Sequence, residues 1–296
     1  MFLALIACAC QISQKAQISE FYNGTNSNQT AIVNLSKNKT KIEKPKLVDD
    51  SRFSSVEIKR TEHKNKFTLK INVEYPQLKK AKNSQEKQFN QYVKKQVDAQ
   101  ILDFNKYLIE RKSKDEYEIN LDYKIDYFSN DFISLLMNWY GYSGYLHMDN
   151  FPSTINFDLK KGKKINLAKL FEPHSEYLDK VSEESRKILK RTCLTCGCGD
   201  GISAGDTLPE NLIKEAEDIN QNATNANSQI HYQDSLFFKE GTEPKEKNYS
   251  GWSVTSEGLK ITFDRYQVGP GCIGIIDILI PFNDLQSILR KDLNFN

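Results

Sequence analysis

This chain has almost no excess of positive over negative charge. Lysine plus arginine number 41 and aspartate plus glutamate 39 among 296 residues, for a formal net charge of +2. A protein that works by neutralising the phosphates of a duplex needs a strong basic excess, so no nucleic-acid partner is expected. Long apolar runs are missing too: no stretch of about 18 apolar residues occurs, and nothing reads as a membrane-spanning helix. Seven-helix receptors and helical channels drop out with it. No P-loop, G-x-G-x-x-G, G-x-S-x-G or EF-hand loop is present. Histidine is scarce, and His63, His147, His174 and His231 form no His-X3-His metal pair. No internal repeat is found, and no cofactor is expected. What remains is 39% hydrophobic and 27% charged, enough apolar matter for a packed core. The length suits one large domain or two ordinary ones.

The chain opens MFLALIACAC, and Leu5-Ile6-Ala7-Cys8 fits a bacterial lipobox, with Cys8 as the lipidation site. A lipid supplies membrane affinity that the polypeptide lacks. The leader is short for a signal peptide, with no basic residue before Cys8, as expected of a start placed too far downstream. Residues 11–50 are polar, running through Asn23-Gly24-Thr25-Asn26 to Lys37, Lys39, Lys41, Lys44 and Lys46. They read as a flexible tether, whose lysines can also rest on anionic headgroups. The expected location is the cell envelope, anchored by lipid and facing the periplasm or exterior. The expected layout is a truncated lipoprotein signal (1–10), a tether (11–50), a strand-helix-strand subdomain (51–130) and a C-terminal subdomain (131–296).

From Phe53 the texture changes. Phe67 to Tyr75 alternates apolar and polar and reads as a strand ended by Pro76. Asn83 or Ser84 looks like an N-cap, and Phe89, Val93, Val97, Ile101, Phe104 and Leu108 form one stripe of an amphipathic helix. Tyr117, Ile119, Leu121, Tyr123, Ile125 and Tyr127 alternate again, followed by an apolar strand from Phe132 to Trp139. A hairpin turns at Lys161-Gly162, and a second turns at Glu257-Gly258. Ser175–Lys190 and Leu208–Ile219 look helical. Ile273–Ile280 reads as a strand buried on both faces, and Asn283 as the cap of a last helix. The fold class is α+β: a mainly antiparallel sheet packed on a long N-terminal amphipathic helix, with shorter C-terminal helices.

The order of these pieces resembles the RsiV-like extracytoplasmic domains. The likeness rests on Tyr75-Pro76 before the long helix, the turn Gly141-Tyr142-Ser143-Gly144-Tyr145-Leu146-His147, the hairpin Phe157–Leu167, and Phe263-Asp264-Arg265-Tyr266-Gln267-Val268-Gly269-Pro270-Gly271-Cys272 before Ile280-Pro281-Phe282. Such domains stand outside the membrane in a lysozyme-sensing anti-sigma factor, beside peptidoglycan deacetylase modules, and in lipoproteins. The resemblance implies a non-catalytic envelope lipoprotein that binds a protein or cell-wall ligand, with a lysozyme-type muramidase as the specific case. The other reading it implies is an enzyme or accessory module acting on peptidoglycan. No spanning helix or sigma-binding segment is read here, so the anti-sigma role does not carry over.

Four cysteines are the strongest local signal: Cys193, Cys196, Cys198 and the distant Cys272. In an oxidising compartment they pair as disulfides, in one of three connectivities. A four-cysteine zinc site and unpaired thiols are the alternatives. His147 follows a glycine turn and is either a structural hydrogen-bonder or a general base or ligand contact. Gly269-Pro270-Gly271 beside Tyr266 is either a strand-bending turn or a rigid loop that enters a partner's cleft. The candidate ligand contacts are therefore Tyr142, His147, Tyr266 and Pro270. No catalytic residue is assigned.

Overall fold

The computed structural model describes residues 51–64, 66–112, 114–142, 149–192 and 237–292, the side chain of Cys272 apart. The chain divides into two units, Met1–Lys44 and Pro45–Asn296, and every described residue belongs to the second. The leader with Cys8, the tether and the Leu208–Ile219 helix lie outside the described residues.

Strands β1 (Phe53–His63) and β2 (Thr68–Leu78) form an antiparallel ribbon. Helix α1 (Ser84–Glu110) then carries the chain back to β3 (Glu116–Phe128), which lies parallel to β2. Next come β4 (Phe132–Tyr142), β5 (Asp149–Asn150), β6 (Ser153–Asp158) and β7 (Lys163–Lys164). Together they make a seven-stranded sheet of order β1-β2-β3-β4-β6-β7, with β5 also on β4. Among the described strands only β2 and β3 pair parallel, as a strand–helix–strand crossover requires. A 3-10 turn (Leu167–Leu170) and helix α2 (Tyr177–Leu189) follow, then 3-10 turns Lys239–Thr242 and Glu246–Tyr249. The chain finishes with β8 (Trp252–Val254), β9 (Gly258–Phe263), β10 (Ile276–Pro281) and the single turn α3 (Phe282–Leu285). These last strands form a second antiparallel sheet of order β10-β9-β8. The architecture is thus mixed α and β, dominated by antiparallel pairing, with few helices.

Two cores lie on opposite faces of the large sheet. The first packs Leu69, Ile71, Val73, Ile119, Ile133, Leu135 and Phe157 against the α1 stripe, whose six members are all buried. The second gathers Tyr127, Phe132, Phe171, Val181 and Trp252 with the inner residues of β9 and β10. Because β4 separates the cores, both its faces are covered, and Phe132–Met137 are buried without a break.

Residue Asp126 is where the strand pattern breaks. Ile125 opposes Leu135 and Tyr127 opposes Ser134, so Asp126 is the extra residue of a β-bulge. The bulge shifts the phase of β3: Ile119 and Leu121 face the first core, whereas Tyr127 enters the second. Asp126 itself keeps the phase of Lys124, so its carboxylate faces the small sheet, where Lys260 Nζ lies at 2.5 Å and Ser253 Oγ donates at 2.7 Å. This ion pair is almost wholly buried, with side-chain exposures of 11% for Lys260 and 1% for Asp126.

Several local expectations change. Strand β2 continues through Pro76, which sits opposite Ser55. The span from Ile273 is not one strand: Gly271–Ile273 is a 3-10 turn, and β10 starts at Ile276 with Asp277 exposed. Asn283 lies inside α3, whose cap position is Pro281. At the start of α1, Asn83 is the cap and accepts from the Glu86 amide at 2.8 Å. The Glu86 carboxylate in turn accepts from the Lys82 amide at 2.6 Å and pairs with Arg52 at 3.0 Å. Burial alone would push that carboxyl up, but the Lys82 amide and the Arg52 guanidinium outweigh it and hold it below the usual range.

Removing one partner of a buried ion pair strands the other charge, so Asp126→Ala is expected to cost about 3–5 kcal/mol in urea unfolding. Asp126→Leu with Lys260→Met should recover most of that loss. For Glu86 the folded-state pKa lies below the unfolded one. Its stabilisation is therefore complete above about pH 4.3, the unfolded glutamate value, and disappears as pH falls through the folded value. Glu86→Gln should cost about 1–2 kcal/mol near pH 7 and less as the pH drops below about 4, read from urea midpoints across pH.

Candidate functional site

The connection from β9 to β10 brings the predicted contacts Tyr266 and Pro270 into one loop. Tyr266 is 66% exposed, the most exposed large hydrophobic side chain among the described residues. Its backbone sits at φ 68°, in the left-handed region where a tyrosine is held only by its surroundings. Those surroundings are specific. The Arg265 guanidinium lies 5.7 Å from the Tyr266 ring centroid, and Arg265 Nε donates to the Gly271 carbonyl at 2.7 Å. The ring lies over Gly271 so closely that a Cβ there would stand 2.0 Å from Tyr266 Cζ. Any side chain at 271 would push the ring off its seat.

Gln267 staples this loop to the rest of the molecule. Its Oε1 accepts from the Asp264 amide at 3.0 Å. Its Nε2 donates to the carbonyls of Gly241 at 2.9 Å and Asn248 at 2.8 Å. The 3-10 turn at 239–242 presses so close that a Cβ on Gly241 would meet the Gln267 carbonyl at 1.9 Å. Val268 is buried, and its carbonyl accepts from the Phe238 amide at 2.9 Å. That bond ties the segment of Phe238, which is 43% exposed, to the loop itself. At the base, Thr262 Oγ1 donates to the Asp277 carboxylate at 2.6 Å across β9 and β10. The result is an exposed tyrosine on a braced platform, with an arginine beneath it and an exposed phenylalanine on the adjoining segment. Aromatic and arginine side chains presented rigidly are the usual anchors of a protein or sugar contact.

The other predicted residues fare differently. Tyr142 ends β4, half-exposed, its ring stacked on Tyr117 with centroids 6.3 Å apart. It belongs to the large sheet, whereas Tyr266 and Pro270 belong to the β9–β10 connection. His147 and the cysteines Cys193, Cys196 and Cys198 lie outside the described residues. Cys272 is in the backbone of the Gly271–Ile273 turn, but its side chain is outside them too. Among the described residues, no group of three or more His, Cys, Asp and Glu is placed to hold a metal ion.

The sequence reading missed the Asp126–Ser253–Lys260 cluster. Asp126 and Lys260 each fall on the wet phase of an alternating strand, and no sequence signal marks the bulge or the covering of both faces of β9. Chemically the cluster is closed: the Ser253 hydroxyl and the Lys260 ammonium both direct their donors at one carboxylate oxygen.

Comparison with known proteins adds context to this geometry. Residues 62–147 match the family model described as deacetylase PdaC, and residues 168–283 match the one described as a protein of unknown function, DUF3298. Over 247 residues the chain is 26% identical to the peptidoglycan-N-acetylmuramic acid deacetylase PdaC of Bacillus subtilis strain 168. That match takes in 83% of this chain but 44% of the relative, so the chain spans less than half of that protein. A solved DUF3298 member from Bacteroides fragilis NCTC 9343 shares the fold at TM-score 0.51 and 14% identity. Another, from Pseudomonas aeruginosa PAO1, does so at TM-score 0.50 and 10% identity. Each covers 81% of this chain and 94% of its own. The resemblance read from the sequence thus holds at the level of these two models, and RsiV itself is not singled out.

Gln267→Ala strips the Gly241 and Asn248 carbonyls and the Asp264 amide of their partner. It is expected to cost about 1–3 kcal/mol and to open the 264–271 loop to limited proteolysis while the sheets stay intact. Tyr266→Asn, which tolerates the left-handed backbone, should leave the urea midpoint unchanged or slightly raised.

Proposed function

We propose that this chain is a cell-envelope module, fastened outside the membrane by lipid at Cys8, that works by contact and not by bond-making. Its ligand is a protein or a cell-wall fragment, and a lysozyme-type muramidase is the specific partner put forward. The observation that carries this reading is Tyr266: a large aromatic ring left exposed on a loop whose neighbours are spent on keeping it rigid. Holding a tyrosine at positive φ costs about 1–3 kcal/mol. Rigidity of this kind lowers the ordering cost of binding, since the anchor is already in place. The envelope setting is supported by the likeness to a peptidoglycan deacetylase and by the match of residues 62–147 to the PdaC model.

The same likeness favours a second reading, an accessory module that presents peptidoglycan to a deacetylase. It differs in its ligand: glycan strands in place of an enzyme.

Titration of the chain with lysozyme and, separately, with soluble peptidoglycan fragments distinguishes the two. Binding of lysozyme at micromolar concentration, weakened at least tenfold by Tyr266→Asn, is the expected result, since a hot-spot aromatic is worth about 2 kcal/mol or more. Binding of glycan fragments alone transfers the assignment to the accessory reading. No binding of either, or binding indifferent to Tyr266, removes this loop as the contact. Mass spectrometry of the N-terminal peptide from native membranes should find acyl chains on Cys8.

A further inference from the structure

One end of the large sheet gathers lysines. The loop from β2 to α1 carries Lys79, Lys80 and Lys82, and the first turn of α1 carries Lys87. The β6–β7 hairpin carries Lys160, Lys161, Lys163 and Lys164. All eight are exposed. These segments are neighbours: the hairpin turn at Gly162 lies against Gln85 and Gln88 of α1. Arg52 lies 6.0 Å from the Phe128 ring centroid, at the foot of the turn that leads to Asp131. The acids at this end are already matched. Glu86 pairs with Arg52 at 3.0 Å, Asp131 with Lys160 at 2.6 Å and Asp158 with Lys161 at 3.5 Å. Lys80, Lys87, Lys163 and Lys164 form no ion pair among the described residues, so their charge is uncompensated. Lys80 also sits at φ 47°, a lysine where glycine or asparagine would cost less.

The opposite end of the sheet mixes the signs, with Glu110 and Asp115 beside Lys112 and Lys114. There Lys64 pairs with Glu62 at 3.1 Å and Lys70 with Glu116 at 2.9 Å. The asymmetry stands out because the whole chain carries a net charge of only +2.

The lysine end is also where the N-terminal segment enters. Lys79 Nζ donates to the Ser51 carbonyl at 3.0 Å, and the Lys79 amide donates to the Arg52 carbonyl at 2.8 Å. We infer that the end formed by Lys79–Lys87 and Lys160–Lys164 docks on the anionic phospholipid headgroups of the membrane. The choice of a lipid surface rests on the anchored reading above, because an anchor at Cys8 keeps the folded part within tether reach of a membrane, and the described residues begin at this end of the sheet. A patch so placed turns a loose tether into a seated one, with the Tyr266 loop carried on the other sheet.

The test uses the full chain made without acylation, so that only the polypeptide binds. Partitioning is measured onto equimolar phosphatidylglycerol–phosphatidylcholine vesicles and onto phosphatidylcholine vesicles. A basic residue near an anionic surface is worth about fivefold in partitioning. The wild-type chain should therefore bind the anionic vesicles alone and release with added salt. Lys80→Gln, Lys87→Gln, Lys163→Gln and Lys164→Gln combined should bind at least about tenfold more weakly. Should that variant fold poorly, lysine acylation of the wild-type chain gives a second readout. Vesicles should shield Lys163 and Lys164 while leaving Lys112 and Lys114 reactive. Equal binding to neutral vesicles, wild-type binding by the folded variant, or uniform reactivity with and without vesicles overturns the inference. Complete displacement by soluble poly(glycerol phosphate) at equal phosphate concentration also overturns it, in favour of an anionic wall polymer. An unmodified Cys8 in native membranes would count against the anchor and leave this vesicle result intact.

Discussion

The buried bond between Asp126 and Lys260 holds the molecule's two sheets in one arrangement. A carboxylate and an ammonium out of water are costly unless they find each other, so the pair admits one relative placement of β3 and β9. The bulge at Asp126 turns Tyr127 to the same side, so carboxylate and ring face the small sheet together. Everything beyond β9 inherits this placement. The β9–β10 connection with Tyr266 is a direct continuation of the strand that carries Lys260, only three residues before its end at Phe263.

Elements with one wet face were legible from the residues. The period-two run of β2 and the spacing of four, four, four, three and four along α1 each pointed one face inward, and those faces are buried. The run from Tyr117 was legible as far as Ile125 and then misread, since nothing in Ile125-Asp126-Tyr127 announces an extra residue. β9 reads as alternating, yet all six of its residues are buried, because it is the middle strand of its sheet and is covered on both sides. β1 was hidden for the opposite reason: as an edge strand with charges at Glu57, Lys59, Arg60 and Glu62 it shows little apolar pattern.

The candidate site was half legible. Tyr266 and Pro270 were visible as a side-chain-poor turn beside an aromatic. Gln267, which braces that turn, has no sequence signal, since its partners are backbone carbonyls far along the chain at Gly241 and Asn248. Arg265 likewise acquires its role only through the fold, by lying under the ring and bonding to Gly271. The exposed ring and the carbonyls that hold its loop still are thus drawn from different parts of the chain.

The small sheet meets the large one along β8, and side chains finish that border. The Trp252 amide is taken by Thr154, the Trp252 carbonyl by Asn156 and the Val254 amide by Ser134. A strand whose outward backbone groups are occupied in this way has no free rungs to offer. A stray peptide or a second copy of the chain therefore finds the β8 edge already taken, and strand addition to the small sheet is left to its other edge, β10.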